Sequence, residues 1–183
     1  MDKIQIIDNF LNDNELLLLN NEINKFKYDY GIKSNDKTFN IYTTGVGSIG
    51  DFFFSKMLDN ILIDKIYNTI SFSTVLKKKY KVNRNYLQIQ TYGKNGDYHT
   101  DNINLNAYTV CLYITEIEDE LLLKCGGNFY LKVPNEKHII SIETNNNRAI
   151  LFPSHYYHNG MSYNIYTNYT KRICFVWQIE EIV

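Results

Sequence analysis

Three segments of the C-terminal half, residues 86–92, 108–115 and 172–179, alternate strictly between two kinds of side chain, the signature of β-strands. In the first, Tyr86, Gln88, Gln90 and Tyr92 fall on one face and Leu87, Ile89 and Thr91 on the other. In the second, Thr109, Cys111, Tyr113 and Thr115 oppose Tyr108, Val110, Leu112 and Ile114. In the third, Arg172, Cys174, Val176 and Gln178 oppose Ile173, Phe175, Trp177 and Ile179. Each strand thus has an aliphatic face that needs burial and a face that is polar, small or tyrosine-rich. Two architectures satisfy this pattern. One is a half-buried sheet with its polar face in water. The other is a β-sandwich or jelly roll whose aliphatic face meets N-terminal helices while its polar face lines a ligand cavity.

The rest of the chain supplies the partners. Further strands are expected at 128–132, 138–142 and 148–152. Asp8 to Asp13 carries turn and N-cap chemistry, followed by Leu16, Leu19, Ile23 and Phe26 at helical spacing. A second helix is expected over 52–70, and a short strand at 39–43. Helices first and strands afterwards predict a mainly β, α+β fold with helices packed on one sheet. The 183 residues suit a single domain, with a helical cover over about 1–80 and a core over about 84–181.

The formal net charge of -1 gives no global field to recruit nucleic acid or acidic membranes. Lys77, Lys78, Lys79, Lys81 and Arg84 form a local basic cluster, read either as a solvated turn or as a docking patch for an acidic substrate. Cys111, Cys125 and Cys174 are odd in number and include no C-x-x-C pair, which favours a reducing compartment over a disulfide scaffold. With no secretory leader pattern and no apolar run long enough to span a bilayer, the expectation is a soluble, cytoplasmic protein.

The polar face leads into chemistry. Tyr98-His99-Thr100-Asp101-Asn102 follows the first of these strands, and Phe152-Pro153-Ser154-His155-Tyr156-Tyr157-His158 comes much later. On a strand, His99 and Asp101 share a face through their i, i+2 spacing. Two imidazoles and one carboxylate are the ligand set of non-haem Fe(II) oxygenases, with positions left open for reaction. His158 is well placed to be the third ligand, and His155 competes with it. His138 falls in an apolar stretch and reads as structural.

Five ordered motifs over roughly 86–179 resemble the prolyl 4-hydroxylase-like Fe(II)/2-oxoglutarate oxygenases. They are 87–102 with its aromatic-glycine turn before H-x-D, Tyr108 to Thr115, Gly126-Gly127-Asn128-Phe129, Arg148 to Ser154, and Arg172-Ile173-Cys174 in place of R-x-S. The resemblance implies a double-stranded β-helix core and Fe(II) held by His99, Asp101 and His158. The spacing beyond the family's serine selects His158 over His155. 2-Oxoglutarate and O2 would complete the iron's coordination, with ascorbate as an accessory reductant. The products would be succinate, CO2 and a hydroxylated C–H bond, with a prolyl residue of a peptide or protein as the leading target.

The dicarboxylate needs a cation, and a guanidinium offers two parallel hydrogen bonds. Arg172 is the choice because it shares a face with Cys174. Lys171 is the rival, since some collagen-type enzymes use lysine at this point. Tyr113 and Tyr92 match tyrosines that contact the co-substrate. The chain departs from the pattern in a longer gap between His158 and Arg172, with 161–169 inserted, and in Asn147 where glycine is usual. The insert, with Tyr163, Tyr166 and Tyr169, is either a substrate-contacting flap or a long hairpin end. Asp101 argues against a halogenase. The neutral charge and the lack of a second arginine in the last strand argue against a nucleic-acid demethylase. The alternatives are hydroxylation of another amino-acid side chain or small molecule, or a non-catalytic peptide-binding module.

Overall fold

A computed structural model describes residues 4–23, 29–32, 50–53, 79–90, 92, 95–117, 119–164 and 171–182. In chain order its elements are β1 (Gln5–Ile7), α1 (Asp13–Ile23), β2 (Asp29–Ile32), β3 (Gly50–Phe53), β4 (Lys79–Gln90) and β5 (Ala107–Ile114). They continue with α2 (Asp119–Cys125), β6 (Phe129–Lys132), β7 (Ile140–Ile142), β8 (Arg148–Pro153), β9 (Tyr157–Gly160) and β10 (Arg172–Ile182). Seven strands form a large sheet in the order β1-β8-β5-β10-β4-β3-β2, and three form a small sheet in the order β7-β6-β9. All pairings are antiparallel.

Where β4, β5 and β10 run side by side over 86–90, 109–114 and 172–177 both faces are largely covered, and the two faces serve different ends. Leu87, Ile89, Val110, Leu112, Phe175, Trp177 and Ile179 share one cluster with Phe10, Leu11, Leu19 and Ile23 from the N-terminal segment and α1. Burying each large apolar side chain here contributes about 1.5–3 kcal/mol. The opposite face contributes Tyr86, Cys111, Tyr113, Cys174 and Val176 to a second cluster, packed against Phe129 and Leu131 of the small sheet. The polar face therefore looks into the space between two sheets rather than into bulk water, so the sandwich reading of the alternation holds.

The start of α1 follows its sequence closely. Asn12 Oδ1 accepts from the Glu15 backbone at 3.0 Å, and Glu15 Oε2 accepts from the Asn12 backbone at 2.8 Å, a reciprocal capping box. Asn147 adopts φ 58°, the left-handed turn expected of a glycine substitute. Its side chain adds what glycine lacks, bonding both the N–H and the C=O of Leu11 at 2.8 Å and tying the helical segment to the sheet.

Several expectations need correction. Phe52 and Phe53 belong to β3 and not to a helix, and the remainder of 54–70 lies outside the described residues, as do 39–43, Phe26, Lys77, Lys78, Tyr166 and Tyr169. The N-terminal part is no purely helical cover, because β1, β2 and β3 extend the large sheet at its two edges. His138 precedes β7, with its side chain 57% exposed near Glu136, so it is a surface residue. α2 and β9 were not anticipated, being too short for a periodicity signal.

Candidate metal and co-substrate site

His158 sits on β9 with 5% exposure, opposite Leu131 of β6. His99 is not inside a regular strand; it makes an isolated bridge to His158 through two backbone bonds of 3.0 and 2.9 Å. The Asp101 backbone N–H is anchored separately, donating to Ser154 at 3.0 Å. The expectation that His99 and Asp101 share a strand is thus corrected: pairing with two different segments brings them together. One ligand atom from each of His99, Asp101 and His158 lies within 4.8 Å of the others.

The hydrogen bonds around this trio decide what it can hold. His99 Nδ1 faces the Asp97 carbonyl at 2.8 Å, and His158 Nδ1 faces the Tyr156 carbonyl at 3.0 Å. A carbonyl only accepts, so each Nδ1 carries the proton and each neutral ring turns a bare Nε2 inward. These nitrogens lie 3.6 and 3.4 Å from the two Asp101 oxygens. Three acceptors face one another with no donor among them. Such a set calls for a cation, and its N2O donors suit Fe(II) or a similar divalent ion. Thr109 Oγ1 donates to Asp101 Oδ2 at 2.7 Å and meets Ser154 Oγ at 2.9 Å, which orients the carboxylate as outer partners of metal ligands do.

The titrations show the same demand for positive charge, which a proton on His99 meets where no metal does. Burial alone would raise Asp101, but the positive charge that either imidazole carries when protonated, together with the Thr109 hydrogen bond, holds it down at about 2 in the metal-free site. Burial opposes protonation of His99, yet its contacts with Asp101 and the Asp97 carbonyl push it above 6.5. His158 goes the other way, lowered chiefly by burial.

Across the cavity stands Arg172, 2% exposed and directly opposite Gln90 in the β4–β10 register. Its Nε donates to the Gly127 carbonyl at 2.9 Å and its Nη1 to Gln90 Oε1, while the guanidinium lies 4.7 Å from the Tyr113 ring centroid. Gly160 makes room for it, because a Cβ there would come within 2.8 Å of Nη1. The buried Nη2 has no partner among the described residues. A fixed, desolvated guanidinium with a donor to spare is a receptor for a carboxylate.

The cavity is lined by Tyr86, Gln88, His99, Asp101, Tyr113, His158 and Arg172 among others, so it joins the metal trio to the cation. Lys171 is exposed, just ahead of β10. Tyr92 is 51% exposed at a turn beyond β4 and is not among the lining residues. His155 lies in the turn before β9, outside the trio. Thr109 and Gln90 stand out in the amino-acid sequence only as members of the polar faces, and Gly127 and Ser154 only as members of the ordered motifs, none with a role assigned; Gly160 carries no signal.

No protein-family model and no curated protein matches the chain. Solved structures do match. A 2OG-Fe(II) oxygenase family oxidoreductase from Burkholderia pseudomallei superposes with a TM-score of 0.74 at 10% identity, over 97% of this chain and 85% of that one. A prolyl hydroxylase from Trichoplax adhaerens, in complex with a hypoxia inducible factor oxygen degradation domain peptide fragment, gives 0.66 at 17% identity over 100% and 84%. HygX from Streptomyces hygroscopicus, with nickel, 2-oxoglutarate and hygromycin B bound, gives 0.65 at 9% identity over 97% and 82%. The chain therefore has the double-stranded β-helix fold of the 2-oxoglutarate/Fe(II) oxygenases.

Proposed function

We propose that the protein is an Fe(II)- and 2-oxoglutarate-dependent dioxygenase that hydroxylates an unactivated C–H bond and releases succinate and CO2. The observation that carries this reading is one cavity holding both a donor-free His99–Asp101–His158 trio and an Arg172 whose Nη2 is unpaired among the described residues. His99 Nε2, His158 Nε2 and an Asp101 oxygen would hold the iron. When bound, iron with its co-substrate supplies the oxidation of the C–H bond, which protein side chains cannot perform. Arg172 would take the distal carboxylate of 2-oxoglutarate, with Tyr113 beneath the guanidinium and Gln90 fixing its rotation. Thr109 would keep the second Asp101 oxygen occupied, so that the carboxylate binds metal through one oxygen. The aromatic rings of Phe129 and Phe152, 5.6 and 4.7 Å from the His158 ring, would keep bulk water from its far side.

The deciding experiment is an anaerobic titration of Fe(II) and then 2-oxoglutarate, followed by the visible charge-transfer band of chelated iron. The band should form with the wild type and vanish in His99→Ala. A folded protein that gives no band would overturn the assignment and favour a peptide-binding module that retains the fold.

For the substrate, the leading reading is a prolyl residue in a peptide or protein, supported by the five ordered motifs and by the peptide-bound Trichoplax enzyme of like fold. The reading of a small-molecule substrate draws on HygX, of the same fold with hygromycin B bound. Succinate release stimulated by proline-containing peptides, against none with free amino acids, would support the former. Among the described residues no helix is long and apolar enough to cross a membrane.

A further inference from the structure

Residues 161–164 open the segment by which the gap between His158 and Arg172 exceeds the family pattern, and they are stitched into the interior. Met161 N donates to Asn128 O at 3.0 Å, and Asn164 N to Cys125 O at 2.6 Å. Asn95 Oδ1 accepts from both the backbone and the hydroxyl of Ser162 at 2.9 Å. Tyr163 forms a bridge to Gly126, and its side chain, 2% exposed, packs with Ile117, Leu122 and Cys125.

The ring of Tyr163 lies directly on Gly127. A Cβ on Gly127 would stand 2.4 Å from both Cδ1 and Cε1 of the ring, a separation that real atoms do not tolerate. Gly127 also has φ +80°, where other residues are strained. Its carbonyl is the acceptor for Arg172 Nε at 2.9 Å and takes a second bond from Thr144 Oγ1 at 3.1 Å. A guanidinium on a flexible stem binds an anion well only when its orientation is set beforehand, because ordering it on binding subtracts from affinity.

We propose that Tyr163 is a positioning residue: by packing on Gly127 it fixes the carbonyl that holds Arg172 Nε, and so aims the unpaired Nη2 into the cavity. The insert thus begins as part of the co-substrate cage. The inference rests on the function proposed above only for the identity of the acid that Arg172 receives.

Two readouts test it. In the ligand-free protein, exchange of the Arg172 Nε–H with water, followed by nitrogen-15 NMR, should accelerate about tenfold in Tyr163→Ala and hardly change in Tyr163→Phe, which keeps the ring. With Ni(II) as a redox-inert metal, the dissociation constant of 2-oxoglutarate should rise about tenfold in Tyr163→Ala, while Ni(II) affinity stays within about twofold. Leu122→Ala removes volume from the same cluster without uncovering Gly127; it should lower the melting temperature and leave both readouts in place. Should Tyr163→Ala not fold, Tyr163→Leu replaces it, keeping apolar volume without the flat ring. Unchanged Nε–H exchange in the folded variant, or an equal effect from Leu122→Ala, overturns the proposal. A wild type that takes Ni(II) but no 2-oxoglutarate would overturn the proposed function instead, and the exchange measurement would still decide the role of Tyr163.

Discussion

At one end of the cavity His99, Asp101 and His158 turn acceptors toward one another; at the other, Arg172 presents a donor that no acceptor among the described residues receives. Both ends are buried and both are held by hydrogen bonds, but they are assembled differently. The acceptor end comes from an irregular segment bridged to β9 and from a carboxylate steadied by Thr109. The donor end comes from the first residue of a regular central strand, gripped by Gln90, Gly127 and Tyr113. Convergent acceptors repel unless a cation enters, whereas a buried cation with a spare N–H attracts an anion. A cavity so divided suits two ligands of opposite charge, as the proposed function requires.

That contrast can be broken by substitution. The largest effect should come from Asp101→Ala, which removes the only negative charge of the trio. Metal affinity should fall more than about 100-fold, beyond the ~10–100-fold typical of losing an outer partner, and turnover should vanish. Isothermal titration with Fe(II) under argon measures it, and undiminished binding would end the ligand assignment. Arg172→Ala comes next. It should weaken 2-oxoglutarate by about 10- to 100-fold, the worth of a charged hydrogen bond, and spare the metal. Lys171→Ala, at an exposed position, should change it by no more than about twofold. The reverse ranking would transfer the role to Lys171.

A change of pH sharpens the same comparison without mutation. Imidazole binds metal only when neutral. With its pKa pushed above 6.5, His99 keeps its proton to higher pH than a free histidine. Metal affinity should therefore fall as pH drops through the raised His99 value, by about tenfold per unit for each displaced proton. The metal-free protein behaves oppositely at this residue. The stability that protonated His99 gains beside Asp101 is fully present below 6.5 and lost as pH rises through its folded value. The guanidinium does not titrate in this range, so 2-oxoglutarate affinity at saturating metal should stay level between pH 6 and 8 (roughly). A parallel fall of both affinities would refute the independence of the two ends. The smallest effect is expected of Thr109→Val, which leaves Asp101 one hydrogen bond short: about a tenfold loss of metal affinity with 2-oxoglutarate binding little altered.

Much of this is legible in the amino-acid sequence. The alternation in residues 86–92, 108–115 and 172–179 separated the two faces of β4, β5 and β10, because side-chain direction in a strand follows from parity alone. The capping box at Asn12 and Glu15 and the left-handed turn at Asn147 are equally local, since each depends on a few neighbouring residues. The amino-acid sequence also carried His99, Asp101, His158 and Arg172 as candidates through residue type and motif order.

Tertiary structure decided the rest. Parity could not tell whether the polar face met water or a second sheet, as that depends on where the short strands β6, β7 and β9 come to lie. The inward turn of the bare Nε2 atoms depends on carbonyls two residues away in bent backbone, which no periodicity encodes. Arg172 keeps its spare donor at Nη2 because Gln90 and Gly127, 82 and 45 residues distant, accept from Nη1 and Nε. The burial of Tyr163 against Gly127 and the exposure of Tyr92 and His138 likewise rest on contacts between segments far apart in the chain. Local chemistry selects which residues are able to act; the packing of distant segments determines which of them meet.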